Sequence, residues 1–345
     1  MNQIKYRCVF SIFIFLLTGC RSTSRLEVTF TASPEQLSPP VIKVKRQNVD
    51  LDMIRAQGYP HVDGSTSTYP LQMMIACHVL DVACNWTQGD LFDPTHRIAP
   101  DFYSTGDKQA ETLSAIFHSG THSAYMNLIK GNADLILVAR EPSEDERRAA
   151  AAENLELDVQ PIARDAFVFL VHDENPVESL SLERIRDIYT GRVTNWIEVG
   201  GVDAEIHTYQ RNPNSGSQEL MERLVMLGEA MLDSPDMMLE TMMGPINAIR
   251  DNPLGIGYSV YFYAAKIYPD ENVRMIAVEG IEPTSETIAD RIYPLSTKVY
   301  AVLREGTPQS SAAITLRDWL FTEEGQGVVK ASGYVPYRSD VRDPR

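Results

Sequence analysis

The chain has no apolar run long enough to cross a bilayer. Its longest candidate, from Val9 to Leu17, falls short of the roughly 20 apolar residues a transmembrane helix needs. Cysteine is scarce. The four present, at positions 8, 20, 77 and 84, form neither a dense disulfide framework nor a Cys/His metal set. Positive charge is in the minority: 31 Lys and Arg against 47 Asp and Glu leave a net charge of −16. So acidic a surface argues against nucleic acid and against a direct grip on anionic lipid headgroups. It does not argue against a small anion, because exposed charges beyond about 8–10 Å are largely screened while a closed pocket feels its own dipoles. There is no nucleophile elbow, no Walker-type loop, no internal repeat and no low-complexity tract. What is present is 43% hydrophobic and 23% charged, the composition of a globular protein.

The first residues read as a leader. Lys5 and Arg7 precede the apolar stretch, which ends at Leu17-Thr18-Gly19-Cys20. That ending resembles a bacterial lipoprotein signal, whose Cys is lipidated and becomes the mature N-terminus. The expectation is a signal peptide over 1–19, a lipidated Cys20 and a lipid-anchored tether over 20–57. An ordinary secretory signal with a stray Cys is the other reading. Cys8 leaves with the leader, so Cys77 and Cys84 remain, and an oxidising export compartment permits a bond between them. On one unbroken helix they would be about 10 Å apart, beyond disulfide reach. Either the helix ends near Leu80-Asp81 and the chain doubles back, or both are free thiols.

From Tyr59 onward, strands and helices alternate. A strand-like entry leads into Asp63-Gly64-Ser65-Thr66-Ser67-Thr68, then a helix through Leu71, Met74, Ile75 and Val79. Residues 85–110 read as an irregular insertion. A helix through Tyr125–Ile129 ends at Gly131, a natural C′ residue, before a buried strand at Asp134–Val138. Ser143 and Glu146 form a capping box. Further strands are expected at Ile162–Val171, Ile206–Tyr209, Gly255–Val260 and Val299–Leu303. Helices are expected at Leu182–Tyr189, after Ser215 through Leu220, Leu224 and Leu227, and at about Ser310–Phe321. This alternation predicts an α/β fold with mainly parallel sheets and flanking helices.

Four short segments carry the chemistry: Asp63 to Leu71, Ser119-Gly120-Thr121-His122-Ser123, Ala139-Arg140-Glu141, and Arg211 to Glu219 with its Ser215-Gly216-Ser217 turn. Three of them open a helix, where free N–H groups and about half a positive charge await an anion. A Ser/Gly turn before one helix is ordinarily only a cap. Four such segments within some 150 residues suggest loops converging on a single oxyanion. Arg140 could instead pair with Glu144. His118 and His122 have an i, i+4 metal spacing, but the intervening Ser-Gly-Thr is poor helix and no metal is expected.

The same segments resemble the phosphate-binding proteins of bacterial ABC phosphate importers. Asp63 to Leu71 is similar to that family's D-G-S-S-T-x-x-P loop, and Gly131 through Arg140 to its G-x-x-D-(x)5-R segment. The most specific match is Asn175-Pro176-Val177 with Leu180, then Tyr189-Thr190-Gly191-Arg192-Val193-Thr194-Asn195-Trp196 and Val199-Gly200-Gly201. Arg211 with Ser215-Gly216-Ser217 resembles R-x-x-x-S-G-T, and Gly255-Ile256-Gly257-Tyr258 an I-G-Y strand. The likeness runs from about Ile54 to Tyr337.

The resemblance implies a periplasmic-binding-protein fold of type II, with two α/β lobes, a two-strand hinge and phosphate clamped in the cleft. Lobe one would hold 58–165 and 262–345, and lobe two 166–261. Ser67, Thr68, Thr121, Ser123, Ser215, Gly216 and Ser217 would donate neutral hydrogen bonds, with Arg140 and Arg211 supplying guanidiniums. Asp63, or failing it Glu141, would accept the phosphate proton; a turn-capping role is the other reading of Asp63. Asn212 follows Arg211 where an acid is common, which would free that guanidinium from a carboxylate. The implied partners are phosphate, ABC permease subunits and a membrane reached through the anchor, outside the cytoplasm, with no cofactor. A phosphatase would need a metal cluster or an activated nucleophile, and neither is visible. A sensor or adhesion lipoprotein built on the same lobes is the alternative.

Overall fold

The computed structural model describes residue 49 and residues 51–89, 94–103, 105–233 and 237–337. The leader, Cys20 and the tether as far as residue 48 lie outside the described residues. Runs of β-branched and aliphatic residues make the sheet. Leu135–Val138 is buried at all four positions and Gly255–Val260 at all six, as strands covered on both faces must be. Six strands form its main path: β1 (Val62–Gly64), β2 (Leu135–Val138), β3 (Leu157–His172), β4 (His207–Thr208), β5 (Gly255–Val260) and β6 (Ser296–Arg304). Their order is β1-β2-β6-β3-β5-β4. The outer pairs β1/β2 and β4/β5 run parallel. Antiparallel pairing gathers on the long strands, β6 against β2 and β3, and β3 against β5. Helices flank this sheet, giving the expected α/β fold.

Strand β3 organises the molecule. Its residues from Leu157 to Ala166 pair with β6, and those from Phe167 to Val171 pair with β5. The handover falls at Asp165, which is 1% exposed. Its Oδ1 accepts the N–H of Ala166 at 2.8 Å and that of Phe262, just beyond β5, at 2.9 Å. Oδ2 is buried without a hydrogen-bond partner. Burial pushes this carboxyl up to about 7, against the opposing pull of the two backbone N–H groups.

Local signals fix the helix ends. The Ser143/Glu146 box opens Glu144–Ala152, and Ser181 caps Leu182–Tyr189. Helix Thr121–Lys130 stops at Gly131, whose φ of 79° suits glycine. Elsewhere the structure departs from expectation. Residues placed in the tether form the helix Asp52–Gln57, because Leu51 and Ile54 enter the core. The insertion expected to be irregular contains the hairpin Cys84–Thr87/Arg97–Pro100 and the helix Asp107–Ser114. Its strands are only four residues each, exposed or half-buried apart from Ile98, so any alternation is too short to stand out. The helix after Ser215 is α-helical only over Gly216–Met221, widens to a π turn at Glu222–Met226, and leaves Leu227 exposed. A final helix, Glu323–Ala331, follows the one expected near the C-terminus.

The chain turns back after Val79, with Asp81 in the left-handed region at φ 56°. Cys77 and Cys84 are bonded, their Cα atoms 6.2 Å apart.

Candidate anion-binding site

The first loop is built by a glycine that nothing else can replace. A Cβ at Gly64 would lie 2.1 Å from the Leu137 carbonyl oxygen, so only glycine lets β1 run this close to the end of β2. The chain then bends through Ser65, Thr66 and Ser67 into the helix Tyr69–Val79. Thr68 locks the bend. Its N–H donates to Ser65 O at 2.9 Å, and its hydroxyl lies 2.8 Å from that oxygen and 2.7 Å from Leu137 O.

Asp63 sets the second loop against the first. Its Oδ1 accepts the N–H of Gly64 at 2.7 Å and of Ser119 at 2.8 Å; Oδ2 accepts the Ser119 hydroxyl at 2.6 Å and Asn127 Nδ2 at 2.8 Å. Ser65 Oγ accepts the Ala139 N–H at 3.1 Å and lies 2.8 Å from Thr121 Oγ1. Either hydroxyl can donate in this pair; when Ser65 does, the Thr121 hydroxyl is free to donate into the cavity.

The fourth segment comes from the other side of the sheet. Ser215 Oγ accepts the Gln218 N–H at 3.1 Å, so Gly216 and Ser217 are the first residues of a capped helix. The amide N–H groups of a first helical turn have no intrahelical carbonyl. Gln218 makes no reciprocal bond to the Ser215 N–H, because its Oε1 accepts from the Tyr258 hydroxyl and the Arg211 N–H instead.

These loops enclose a cavity of about 370 Å³ lined by Ser65–Ser67, His118–Ser123 and Arg211–Ser217, with Ala139, Leu220, Glu240, Met242 and Val260. Among the described residues Arg211 is the one arginine that lines it, and it is 5% exposed. Its Nε donates to Leu239 O at 2.9 Å, one terminal nitrogen to Glu240 O at 3.1 Å and Asn212 Oδ1 at 3.3 Å, and the other faces Met242 Sδ at 3.2 Å. Among the described residues no carboxylate pairs with it. Burial lowers its pKa, opposed by Tyr258 and Tyr263. This is a buried cation held in position by neutral groups, a costly arrangement that an incoming anion would relieve.

The structure therefore brings Ser67, Thr121, Ser123, Arg211, Ser215, Gly216 and Ser217 to one cavity. It does not bring Thr68, Asp63, Arg140 or Glu141 to it. The hydrogen bonds of Thr68 and Asp63 are directed into the loops themselves. Arg140 turns away and forks onto Glu146, at 2.7 and 2.8 Å. Burial alone would lower its pKa, and Glu146 more than reverses this. Glu141 accepts from the Tyr300 hydroxyl at 3.0 Å and borders a separate pocket with Arg140. Ser65, His118, His122, Glu240 and Met242 were not among the expected site residues. The two histidines were weighed only as metal ligands, and among the described residues no His/Cys/Asp/Glu group could hold a metal ion.

The two sides of the cavity touch where Gly216 meets Thr121. A Cβ at Gly216 would lie 2.6 Å from Thr121 Oγ1 and 3.5 Å from Thr121 Cβ. Thr121 cannot easily give way, since Ser65 holds its hydroxyl. We expect Gly216→Ala to weaken anion binding at least tenfold while shifting the melting temperature little. Wild-type affinity in calorimetry would show that this approach is not needed.

A donor-rich cavity with a guanidinium that no carboxylate pairs among the described residues has the chemistry to hold an oxyanion. The chain belongs to the PBP superfamily, whose domain model matches residues 108–324. It is similar to the phosphate-binding protein PstS of Staphylococcus haemolyticus, 24% identical over 241 residues that cover 65% of this chain and 74% of that protein. Its fold is similar to a putative phosphate ABC transporter substrate-binding protein from Clostridium perfringens solved with bound phosphate. There the TM-score is 0.61 at 23% identity, covering 81% of this chain and all of that one. An ABC-type phosphate transport receptor from Vibrio cholerae gives a TM-score of 0.55 at 21% identity, over 80% of this chain and 99% of that one.

Proposed function

We propose that this chain captures inorganic phosphate in the cavity between its two sets of loops and delivers it to an ABC importer, without chemistry. The observation that carries the reading is Arg211, a buried guanidinium with no carboxylate partner among the described residues, set beside Ser215, Gly216 and Ser217. Charge-assisted bonds from guanidinium and helix-terminal N–H groups suit a tetrahedral oxyanion. The PstS relatives and the solved phosphate-binding neighbours support phosphate as that oxyanion. Residues 58–165 with 262–345, and residues 166–261, are the two lobes, and they close by bending where β3 and the segment after β5 cross.

The leader and Cys20 make this an exported protein anchored by lipid on the extracytoplasmic side of a bacterial membrane. No helix among the described residues is long and apolar enough to cross a membrane. Titration calorimetry on the detergent-solubilised chain should show one phosphate site and weak or no sulfate binding. Binding of sulfate or molybdate without phosphate would sink the assignment, as would steady release of phosphate from a phosphomonoester.

A further inference from the structure

Phosphate and sulfate share size and tetrahedral shape and differ by a proton. At neutral pH phosphate keeps at least one O–H, while sulfate keeps none. A site that tells them apart needs an acceptor facing the ligand, which phosphate satisfies and sulfate leaves unpaired or repelled. The expected acceptors, Asp63 and Glu141, are engaged elsewhere. Among the described residues the one carboxylate residue lining the cavity is Glu240, which is exposed and contributes its main-chain carbonyl to Arg211.

The cavity wall does hold two imidazoles, His118 and His122. They are not equivalent. His122 Nδ1 lies 3.1 Å from Glu146 Oε1. Glu146 is fully buried and forked onto the Arg140 guanidinium, and its Oε2 also accepts the Ser143 N–H at 2.8 Å. Both Glu146 oxygens are engaged as acceptors by these groups, so the His122 tautomer that completes the contact carries its proton on Nδ1. In the neutral ring the lone pair is then on Nε2. The side chain is 33% exposed, as a group on a cavity wall must be to meet a ligand. Among the described residues no carboxylate hydrogen-bonds His118; the ring of Tyr69 lies against it at 5.3 Å, edge to face, and the Asp63 charge acts on it only through space.

We propose that His122 is the specificity-determining residue of this site, its Nε2 accepting the hydrogen bond of the phosphate O–H, with Glu146 and Arg140 as positioning residues that fix its tautomer. The inference rests on the phosphate reading of the cavity. It gives Arg140 an indirect part in binding: it holds Glu146, Glu146 orients His122, and His122 meets the ligand. Sulfate, with no proton to offer, would set its own lone pairs against that of Nε2.

The test is competition calorimetry at pH 8 on the full chain, with phosphate and sulfate as probes. His122→Ala should lower the phosphate-to-sulfate affinity ratio at least tenfold, mainly through weaker phosphate binding. His122→Gln, which keeps an acceptor, should retain more of the ratio than the alanine variant. A ratio within twofold of wild type in His122→Ala, with phosphate still bound, would overturn the inference and leave the phosphate reading standing. Absence of phosphate binding in the wild type would overturn both. A second measurement needs no variant. Nitrogen-15 spectra of the imidazoles should show Nε2 of His122 unprotonated, with a shift that responds to phosphate and not to sulfate. A bare Nδ1, or equal responses to the two anions, would contradict the proposal.

Discussion

Arg211→Met should abolish measurable phosphate binding while leaving the fold as stable as before or more so; Arg140→Met should chiefly cost stability, with a smaller loss of affinity passed on through Glu146 and His122. The two arginines are both buried, at 5% and 2% exposure, yet their surroundings are opposite. Arg211 faces the cavity and is held by two main-chain carbonyls, Asn212 and a thioether. Removing it takes away the guanidinium that lines the cavity. With two charge-assisted bonds to an oxyanion at stake, the loss is about 3 kcal/mol or more, over a hundredfold in affinity. It also removes a buried cation that no carboxylate neutralises, which is neutral or stabilising for the unliganded protein. Removing Arg140 strands Glu146, a fully buried carboxylate, and breaking such a pair from one side costs about 3–5 kcal/mol of stability. Calorimetry and thermal melts on both variants check this. Equal losses of affinity, or a larger one at Arg140, would mean that the guanidinium roles are reversed.

Asp165→Asn should stabilise the protein, and more so as the pH rises. The Asp165 carboxyl is raised from 3.8 to about 7 by burial where β3 passes from one set of strands to the other. Between those two pH values the folded state holds a proton that the unfolded state has released. Stability from this group is therefore fully present below the unfolded value and is lost as the pH climbs to about 7. At 1.36 kcal/mol per unit, the penalty at pH 8 is on the order of 4 kcal/mol. Asparagine keeps an oxygen to accept from Ala166 and Phe262 and carries no charge. Its melting temperature should exceed the wild type by roughly 5–10 °C at pH 8, with the gap narrowing toward pH 4. A gap that stays constant with pH would show that the carboxyl does not titrate in this range. The neighbouring Tyr334, whose hydroxyl donates to Ser67 O at 3.0 Å, links the same crossing to the first loop of the cavity.

Much of this architecture was legible in the residues, for reasons that are local. Gly131 and Gly191 mark helix ends because their left-handed φ values favour glycine. Ser143 with Glu146 reads as a capping box because both halves lie within one turn. Leu135–Val138 is buried at every position, and its unbroken apolar run shows it. The loops around Ser67, Thr121 and Ser215 could be found because each opens a helix. What could not be read was side-chain direction. Arg140 follows β2 just as Arg211 ends its own short strand, and nothing in either sequence tells which guanidinium meets a carboxylate. Glu146 was recognised as a cap and not as the partner of Arg140, because its second role depends on how the helix Glu144–Ala152 packs against the loop before it. Asp63 looked like a ligand because it begins the first loop; its four donors come from Gly64, Ser119 and Asn127, two of them more than 50 residues away. His118 and His122 were obscured by a spacing that suggested a metal. The hairpin of Cys84–Thr87 with Arg97–Pro100 is obscured by its length, four residues a strand with Pro100 in the second.

The central claim is that Arg211 and the Ser215–Ser217 turn hold the anion. A crystal structure of the chain grown with phosphate tests it most directly. The account predicts one phosphate in the cavity, bridged by the Arg211 guanidinium and the amide N–H groups of Gly216 and Ser217 on one side and by the Thr121 hydroxyl on the other, with Arg140 still forked onto Glu146. A phosphate seated on Arg140, with Glu146 released and Arg211 uninvolved, would contradict it.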